Sequence, residues 1–395
     1  MTRLRIALGG GFLAAYPEGG GHWMALLQYL LGLRALGHDV LWLEVLPSSG
    51  DAGRDARRLA AFFGRMAEYG LGERCAVLLQ PAGVAEPDLD AAQTHGLTRR
   101  RVEEFARSAD LVWNFAAALR RPLLSLFRRR VLVDLDPGHL QVSALTWDLA
   151  LGAHDVFLTV GVNVHGADCG VPTLGVGWQP FLPFVHLPMW TVTPDPGPAA
   201  PFTSVTQWTW EEVWLGARVL SVSKRDGYLA YLGLPRRAGR SFELAVNLAP
   251  DDRTGDRERL LAGGWRLVDP HRVAGSPSQY QRYLAASRAE IACPKPIHRE
   301  LRTGWFSDRS ACYLASGRPV LFEDTGTGAW LPAGRGLILV RGVEEAAAAV
   351  AAIDADWADH SRAARGLAEE FLDARRCLPA MLDASLASPA ATRGA

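Results

Sequence analysis

The sequence of 395 residues lacks the features of several specialised protein classes. Its formal net charge is zero, which argues against a protein held mainly by nucleic-acid phosphates or by an anionic membrane. It has no run of about 18 uncharged apolar residues, so we expect no transmembrane helix. The first residues lead into a short apolar segment without the pattern of a signal peptide, and we therefore expect a cytoplasmic protein.

Cysteine and lysine are both scarce, and each scarcity is informative. The five cysteines are scattered, odd in number and never spaced as CxxC, which excludes a disulfide framework and a zinc ribbon. Lysine occurs only as Lys224 and Lys295 among 42 basic residues. Either these lysines have survived by chance, or they mark sites that need a compact ammonium instead of a planar guanidinium.

What the chain does contain is typical of a globular α/β protein. Hydrophobic residues make up 49% and charged residues 21%, and the length favours two domains. Apolar strand-like segments alternate with helical ones on both sides of a proline-rich stretch between Pro180 and Pro201, which predicts two parallel sheets. We predict a first domain over residues 1–185, a linker over 186–201, a second domain over 202–356 and a helical segment over 357–395 that packs back toward the first domain.

A glycine-rich segment follows the first predicted strand. The triplet that starts at Gly9 mimics a dinucleotide fingerprint, but the helix begins later, near His22, and the acid Glu44 lies beyond the spacing of a ribose contact. Nicotinamide binding is therefore disfavoured. An imidazole titrates near working pH, so His22 at a helix start is a candidate general base. The alternative is a histidine that only caps or packs the helix start.

Two carboxylates, Asp134 and Asp136, stand at the predicted end of a parallel strand and just before a Pro-Gly turn. Ligands bind at that edge of open α/β sheets. One carboxylate there can orient a hydroxyl or serve as a base. An aspartate before Pro-Gly is also a common turn starter, so a purely structural role stays open.

The clearest motif lies between Gly304 and Gly326. Its residues predict a loop, a helix over 307–316, a buried strand over 319–322 and a polar, glycine-containing loop. The start of a helix presents free amides, and basic or hydroxyl side chains beside them add donors, which predicts a diphosphate site. The residues at that start are Ser307, Asp308, Arg309 and Ser310.

This arrangement resembles the donor-binding half of glycosyltransferases of the GT-B fold, and the glycine loop that leads into His22 resembles their opening segment. The stretch 304–326, together with Trp265 and residues 287–290 and 134–137, is similar to a widespread, poorly characterised GT-B group. The resemblance implies two Rossmann-like domains that face each other across a cleft. The first would bind an acceptor and the second a nucleotide sugar.

The resemblance also implies roles for individual residues. Donor binding would involve Lys224, Trp265, Lys295, Ser307, Asp308, Arg309, Ser310, Glu323, Asp324, Thr325 and Gly326. Acceptor binding would involve Gly20, Gly21 and His139, with His22 as base and Asp134 or Asp136 supporting it. Many GT-B enzymes hold the donor ribose with a glutamate at the position of Cys312, so we expect Glu323 or Asp324 to take that part here.

The sequence thus predicts a glycosyltransferase that moves a sugar from a nucleoside-diphosphate donor to the hydroxyl of a small molecule, such as a natural product. We expect no cofactor, no metal and no nucleic-acid partner, because basic side chains and helix amides can stabilise the leaving diphosphate. Two alternatives remain open. One is a nucleotide-sugar 2-epimerase of the same fold, which needs more acids around the sugar and no acceptor. The other is a non-catalytic protein that binds nucleotide or carbohydrate.

Overall fold

The computed structural model describes residues 2–84, 89–248 and 252–387. The elements up to residue 180 are β1 (Arg5–Gly9), α1 (Gly20–Ala35), β2 (Asp39–Pro47), α2 (Ala52–Glu68), β3 (Cys75–Gln80), β4 (Gln93–Gly96), α3 (Arg99–Ser108), β5 (Leu111–Phe115), β6 (Arg130–Asp134), α4 (His139–Ser143), β7 (Val156–Thr159) and β8 (Trp178–Pro180). Short 3-10 turns lie at Leu123–Leu126 and Leu151–Ala153.

The elements after residue 201 are β9 (Phe202–Thr206), β10 (Val213–Leu215), β11 (Arg218–Leu220), α5 (Lys224–Ala230), α6 (Leu234–Ala238), β12 (Phe242–Val246), α7 (Asp256–Gly263), β13 (Trp265–Val268), α8 (Pro270–Ala274), α9 (Pro277–Ala285), β14 (Ala289–Ala292), α10 (Pro296–Glu300), α11 (Asp308–Ala315), β15 (Val320–Glu323), β16 (Leu337–Val340), α12 (Val343–Ala355), α13 (Trp357–Phe371) and α14 (Ala374–Leu386). A 3-10 turn lies at Thr327–Ala329, and another, Leu187–Met189, lies in the connecting residues 181–201.

Two parallel sheets organise the described residues. The first has the order β4-β3-β2-β1-β5-β6-β7-β8, with only β4 antiparallel to its neighbour, and the second has the order β13-β12-β9-β14-β15-β16. Strands in both sheets are buried runs of apolar residues, as sheets covered on both faces require. Strand order reverses beside β1 in the first sheet and beside β9 in the second, and ligands bind at such points.

The predicted fold class, α/β with two Rossmann-like domains, agrees with these sheets, while several local predictions need correction. The apolar pattern of the sequence also favours a strand over 173–178, but this strand begins only at Trp178, because residues 173–176 form a turn. The sequence likewise favours a strand over 241–249, but this strand ends at Val246, and Ala249 lies outside the described residues. The last helical segment is two helices, because Asp373 caps the start of α14 with its side chain. Residues 388–395 of that predicted segment lie outside the described part.

The last described helix, α14, lies on the first sheet's side of the molecule. It packs against α1 and β7, and the buried indole Nε1 of Trp113 donates to Ser385 Oγ at 2.9 Å. In the described part of the chain, no helix is long and apolar enough to cross a membrane.

Candidate functional site

A cavity of about 640 Å³ lies between the two sheets, where the loops after their central strands meet. Its first wall comes from the loops after β1 and β6 and from the start of α1. Its second wall comes from the loops after β9 and β14 and from the start of α11. The carboxyl ends of both parallel sheets therefore open onto one space. Of the predicted site residues it brings together Gly20, Gly21, His22, Asp134, Asp136, His139, Lys224, Lys295, Ser307, Asp308 and Arg309.

His22 lies in the first turn of α1, and its ring is accessible from the cavity. Its Nε2 is hydrogen-bonded to the carbonyl oxygen of Gly11. A carbonyl oxygen only accepts, so Nε2 carries the proton and Nδ1 keeps a lone pair. Burial among the cavity walls lowers the pKa of His22, while the Gly11 bond and the charge of Asp308 act in the opposite direction. The imidazole is therefore neutral near neutral pH and available as a base.

Gly20 and Gly21 line the cavity and also bring the two domains into contact. A side chain at Gly20 would collide with the carbonyl oxygens of Ala274 and Ser276 in the second domain. A Cβ at Gly21 would lie 3.0 Å from the ring of Tyr280, also in the second domain. The glycines at the start of α1 are thus needed for close packing between domains, in addition to the acceptor contact that the sequence predicts.

Asp134 is fully buried beneath the cavity floor. Its carboxylate accepts hydrogen bonds from Gln141 Nε2 at 2.8 Å and from Thr159 Oγ1 at 2.7 Å. Burial raises its pKa to about 6 despite these donors. These contacts hold the loop after β6 in place, so the geometry favours a positioning role for Asp134.

Asp136 links the two domains through a charged cluster. Its carboxylate is paired with the Lys295 ammonium, with His139 Nδ1 at 2.9 Å and with His298 Nε2 at 3.2 Å. Burial opposes its ionisation, yet the Lys295 ammonium and the two histidines hold the pKa of Asp136 well below its usual range. The expected support of His22 by Asp134 or Asp136 is absent among the described residues, because both carboxylates are committed to these other partners.

The second wall carries three cations with different partners. The Arg309 guanidinium pairs with buried Glu290 and donates to the carbonyl oxygen of Val205 at 2.8 Å. Lys295 pairs with Asp136. Lys224, by contrast, has no ion-pair partner among the described residues, and its ammonium lies 5.7 Å above the Trp305 ring. Burial lowers the pKa of Lys224 to about 7, and repulsion by Arg309 and Lys295 adds to the effect.

The start of α11 faces the cavity between these cations. Ser307 caps the helix, and its Oγ accepts from the Arg309 amide at 3.2 Å, while Asp308 is exposed to the cavity. Ser310 lies one position deeper, and its buried Oγ has no partner in the described part of the chain. The remaining first-turn amides of a helix have no partner within it, so this start can accept an anion.

Several predicted donor residues lie away from the cavity. Trp265 is in the core of the second domain, where its Nε1 donates to the carbonyl oxygen of Leu232 at 3.1 Å. Glu323 pairs with Arg299 at 2.6 Å, and Asp324 pairs with Arg341 at 3.1 Å. These arginines neutralise the two acids that the sequence offers for ribose binding.

The loop after β15 holds the domains together. Thr325 Oγ1 donates to the carbonyl oxygen of Trp305 at 2.6 Å, and the carbonyl oxygen of Gly326 accepts from Asn163 Nδ2 in the first domain at 3.2 Å. Cys312, at the position where many GT-B enzymes are expected to carry a glutamate, is buried and accepts from Gln28 Nε2 at 3.5 Å. Thr325, Gly326 and Cys312 are not among the described residues that line the cavity.

Sequence reasoning missed several residues that do line the cavity, notably His298, Trp305, Trp210 and Tyr280. His298 stacks on Trp305 with ring centroids 4.4 Å apart and an angle of 9° between the planes. Its position three residues after Lys295, on the same short loop and helix, was the available signal. For Trp210 the available signal was its place in the loop directly after β9, since the carboxyl ends of parallel strands meet at one edge of the sheet.

No protein-family profile and no curated protein matches this sequence. Solved structures do match in fold. An alpha-glucosyltransferase in complex with UDP-glucose and DNA containing an abasic site is 13% identical, with coverage of 98% of this chain and 100% of that one and a TM-score of 0.60. Sucrose-phosphate synthase from Thermosynechococcus elongatus is 12% identical, covering 96% and 98%, with a TM-score of 0.57.

A third similar structure is AviGT4, a glycosyltransferase involved in avilamycin A biosynthesis. It is 13% identical, with coverage of 97% of each chain and a TM-score of 0.53. Structural similarity over nearly the whole chain, at such low sequence identity, establishes the fold. This chain has the GT-B fold, and the cavity described above lies between its two domains.

Proposed function

We propose that this protein is a glycosyltransferase that uses a nucleoside-diphosphate sugar. The observation that carries the proposal is the composition of the cavity walls. The start of α11 and the ammonium of Lys224, which has no carboxylate partner in the described part of the chain, stand in the second wall, and a neutral histidine, His22, stands in the first. Transfer of a sugar from a diphosphate to a hydroxyl group requires an anion site opposite a base.

The donor's diphosphate would lie at the start of α11, where helix amides and Lys224 supply positive potential. Lys295 would join them by exchanging its contact with Asp136 for a phosphate oxygen. The complexes that similar structures form support this class of donor, since one contains UDP-glucose and others contain UDP. We propose no metal in this step, because the amides and ammonium groups offer the charge that the leaving group needs.

The acceptor would lie against the first wall, with its hydroxyl next to Nδ1 of His22. In the transfer, the acceptor oxygen bonds to the anomeric carbon while the bond between that carbon and the diphosphate oxygen breaks. Nδ1 takes the hydroxyl proton, and the bonding electron pair leaves with the diphosphate. Lys224 and the α11 amides stabilise the charge that develops there.

The direct test is a binding panel of UDP, TDP, GDP and ADP, measured by thermal shift and by calorimetry. A ligand that binds only the folded state stabilises it by about 2.7 kcal/mol at 100 times its dissociation constant. We expect at least one diphosphate to raise the Tm of the wild type and to bind Lys224→Met more weakly. Absence of binding by all four would refute the proposal. Conversion of the nucleotide sugar without any acceptor would favour the 2-epimerase.

A further inference from the structure

Both walls of the cavity carry aromatic side chains, but among the described residues its lysines and its arginine come from the second wall. The centre of the first wall is a group of aromatic side chains, Tyr29, Phe115 and Phe184, which we call the aromatic wall. The ring of Tyr29 lies 5.1 Å from that of Phe115 and 4.6 Å from that of Phe184, both edge-on. Leucines continue this apolar surface toward α4. These rings and leucines form the apolar part of the first wall.

The formal charges of the first wall are all of one sign. Among its described residues they belong to Glu18, Asp134 and Asp136, and this wall contributes no arginine or lysine of its own, since the Lys295 ammonium that pairs with Asp136 comes from the second wall. A phosphate backbone needs basic side chains to replace its counterions. This wall therefore does not suit a nucleic acid or another phosphate-rich acceptor, although one similar structure was solved with DNA.

Trp210 covers the same space from the second domain. Its backbone is fixed, because its amide donates to Ser223 Oγ at 2.8 Å and its carbonyl oxygen accepts from the same hydroxyl at 2.9 Å. Trp210 is nevertheless 54% exposed and lines the cavity, with its ring centroid 5.5 Å from the Lys295 ammonium. A large apolar ring that faces water at a cavity is placed to be covered by a ligand.

We propose that the acceptor is an uncharged, largely apolar molecule with a hydroxyl group, bound between the aromatic wall and the indole of Trp210. This inference rests on the proposed function and names the substrate class of the same site. The apolar body packs against the rings, which directs the hydroxyl toward His22. The polar donor occupies the opposite wall.

The test compares two exposed tryptophans of the same domain. Trp210→Ala removes the ring that lines the cavity. Trp214→Ala is the matched control, because Trp214 is 59% exposed but, on β10, does not line the cavity. Both side chains are largely exposed, so both variants should fold. The probes are 2-naphthol as apolar hydroxyl compound, maltose as polar one and a short DNA duplex.

Calorimetry measures the dissociation constant of each probe, with and without the tightest-binding nucleoside diphosphate. We expect saturable binding of 2-naphthol, weakened at least about fivefold by Trp210→Ala and less than about twofold by Trp214→Ala. Tighter binding of maltose or DNA than of 2-naphthol would overturn the proposal, as would an unchanged affinity in Trp210→Ala. If both variants lose the same affinity for 2-naphthol and the protein sediments together with lipid vesicles, the two tryptophans belong to a membrane-binding surface. That result would also overturn the proposal.

The two proposals fail separately in this design. If no nucleoside diphosphate binds while 2-naphthol binds in a Trp210-dependent way, the apolar site stands as a binding site and the transferase proposal falls. If a diphosphate binds and 2-naphthol does not, the donor site stands and the apolar acceptor is refuted.

Discussion

Replacing Lys224 with methionine should stabilise the protein and weaken its binding of nucleoside diphosphates. Lys224 is enclosed beside Arg309 and Lys295 without a carboxylate partner among the described residues, and its pKa falls to about 7. A charged group in such a place costs folding free energy, which methionine of similar length avoids. The same charge is what a diphosphate at the start of α11 would use.

The magnitudes follow from the pKa. One pKa unit corresponds to about 1.4 kcal/mol, but the cavity is open to water, which screens the ammonium. We therefore expect Lys224→Met to gain about 1–2 kcal/mol at about pH 6–7, or about 2–5 °C in Tm. Loss of a charge-assisted hydrogen bond of about 1.5–3 kcal/mol should weaken diphosphate binding about 10- to 150-fold.

The pH dependence has a definite sign. Between about pH 7 and the ordinary pKa of 10.5, the unfolded chain binds a proton at Lys224 that the folded protein does not. Wild-type stability should therefore gain from this group as pH rises through that window, and the advantage of Lys224→Met should shrink. Diphosphate affinity of the wild type should fall as pH rises above about 7, while that of Lys224→Met should lack this component.

Chemical denaturation and calorimetry at several pH values measure both quantities. Lys295→Met is the contrasting variant, because it strips Asp136 of its ammonium partner. It should lose about 1–3 kcal/mol of stability and also bind diphosphate more weakly. Destabilisation by Lys224→Met, or an unchanged dissociation constant in that variant, would refute the reasoning.

Three further variants test other parts of the site. His22→Ala should cut turnover about a hundredfold or more while leaving diphosphate binding nearly intact, because only proton transfer is lost; a fall below about tenfold in steady-state assays would remove it as base. Arg309→Ala should chiefly destabilise the protein, by about 3 kcal/mol in denaturation, because Glu290 is left buried without its partner. Gly20→Ala should lower activity by forcing the domains apart, whereas Gly64→Ala, in open space on α2, should leave turnover unchanged.

Patterns local in the sequence predicted the fold well. Buried parallel strands are short apolar runs that the sequence shows directly. The helix that starts after Ser307 has a clear N-terminal cap and a glycine just after its end. The hairpin of β10 and β11 was not predicted, because its three-residue strands offer too little periodicity. Long apolar or well-capped segments therefore made the fold class predictable, whereas very short strands were missed and the ends of several elements were misplaced.

Some residues of the candidate site could likewise be predicted from the sequence, and others could not. Residues next to strand ends, such as Asp136 and Lys295, could be expected at the cavity because parallel strands end at one edge. Glu323 also lies at a strand end, as the last residue of β15, but its carboxylate is paired with Arg299, which lies on α10. Such pairing between distant segments cannot be read from local sequence. The same holds for Gly20, whose neighbours Ala274 and Ser276 are far away along the chain.

Product analysis by mass spectrometry shows whether the protein transfers a sugar to an apolar hydroxyl compound. The protein is incubated with the nucleotide sugar whose diphosphate binds best, with 2-naphthol as acceptor, and in parallel without acceptor and with His22→Ala. We expect a sugar adduct of the acceptor, formed in equal amount to the released nucleoside diphosphate and strongly reduced in His22→Ala. Equal release of nucleoside diphosphate with and without acceptor, and no adduct in any reaction, would contradict it.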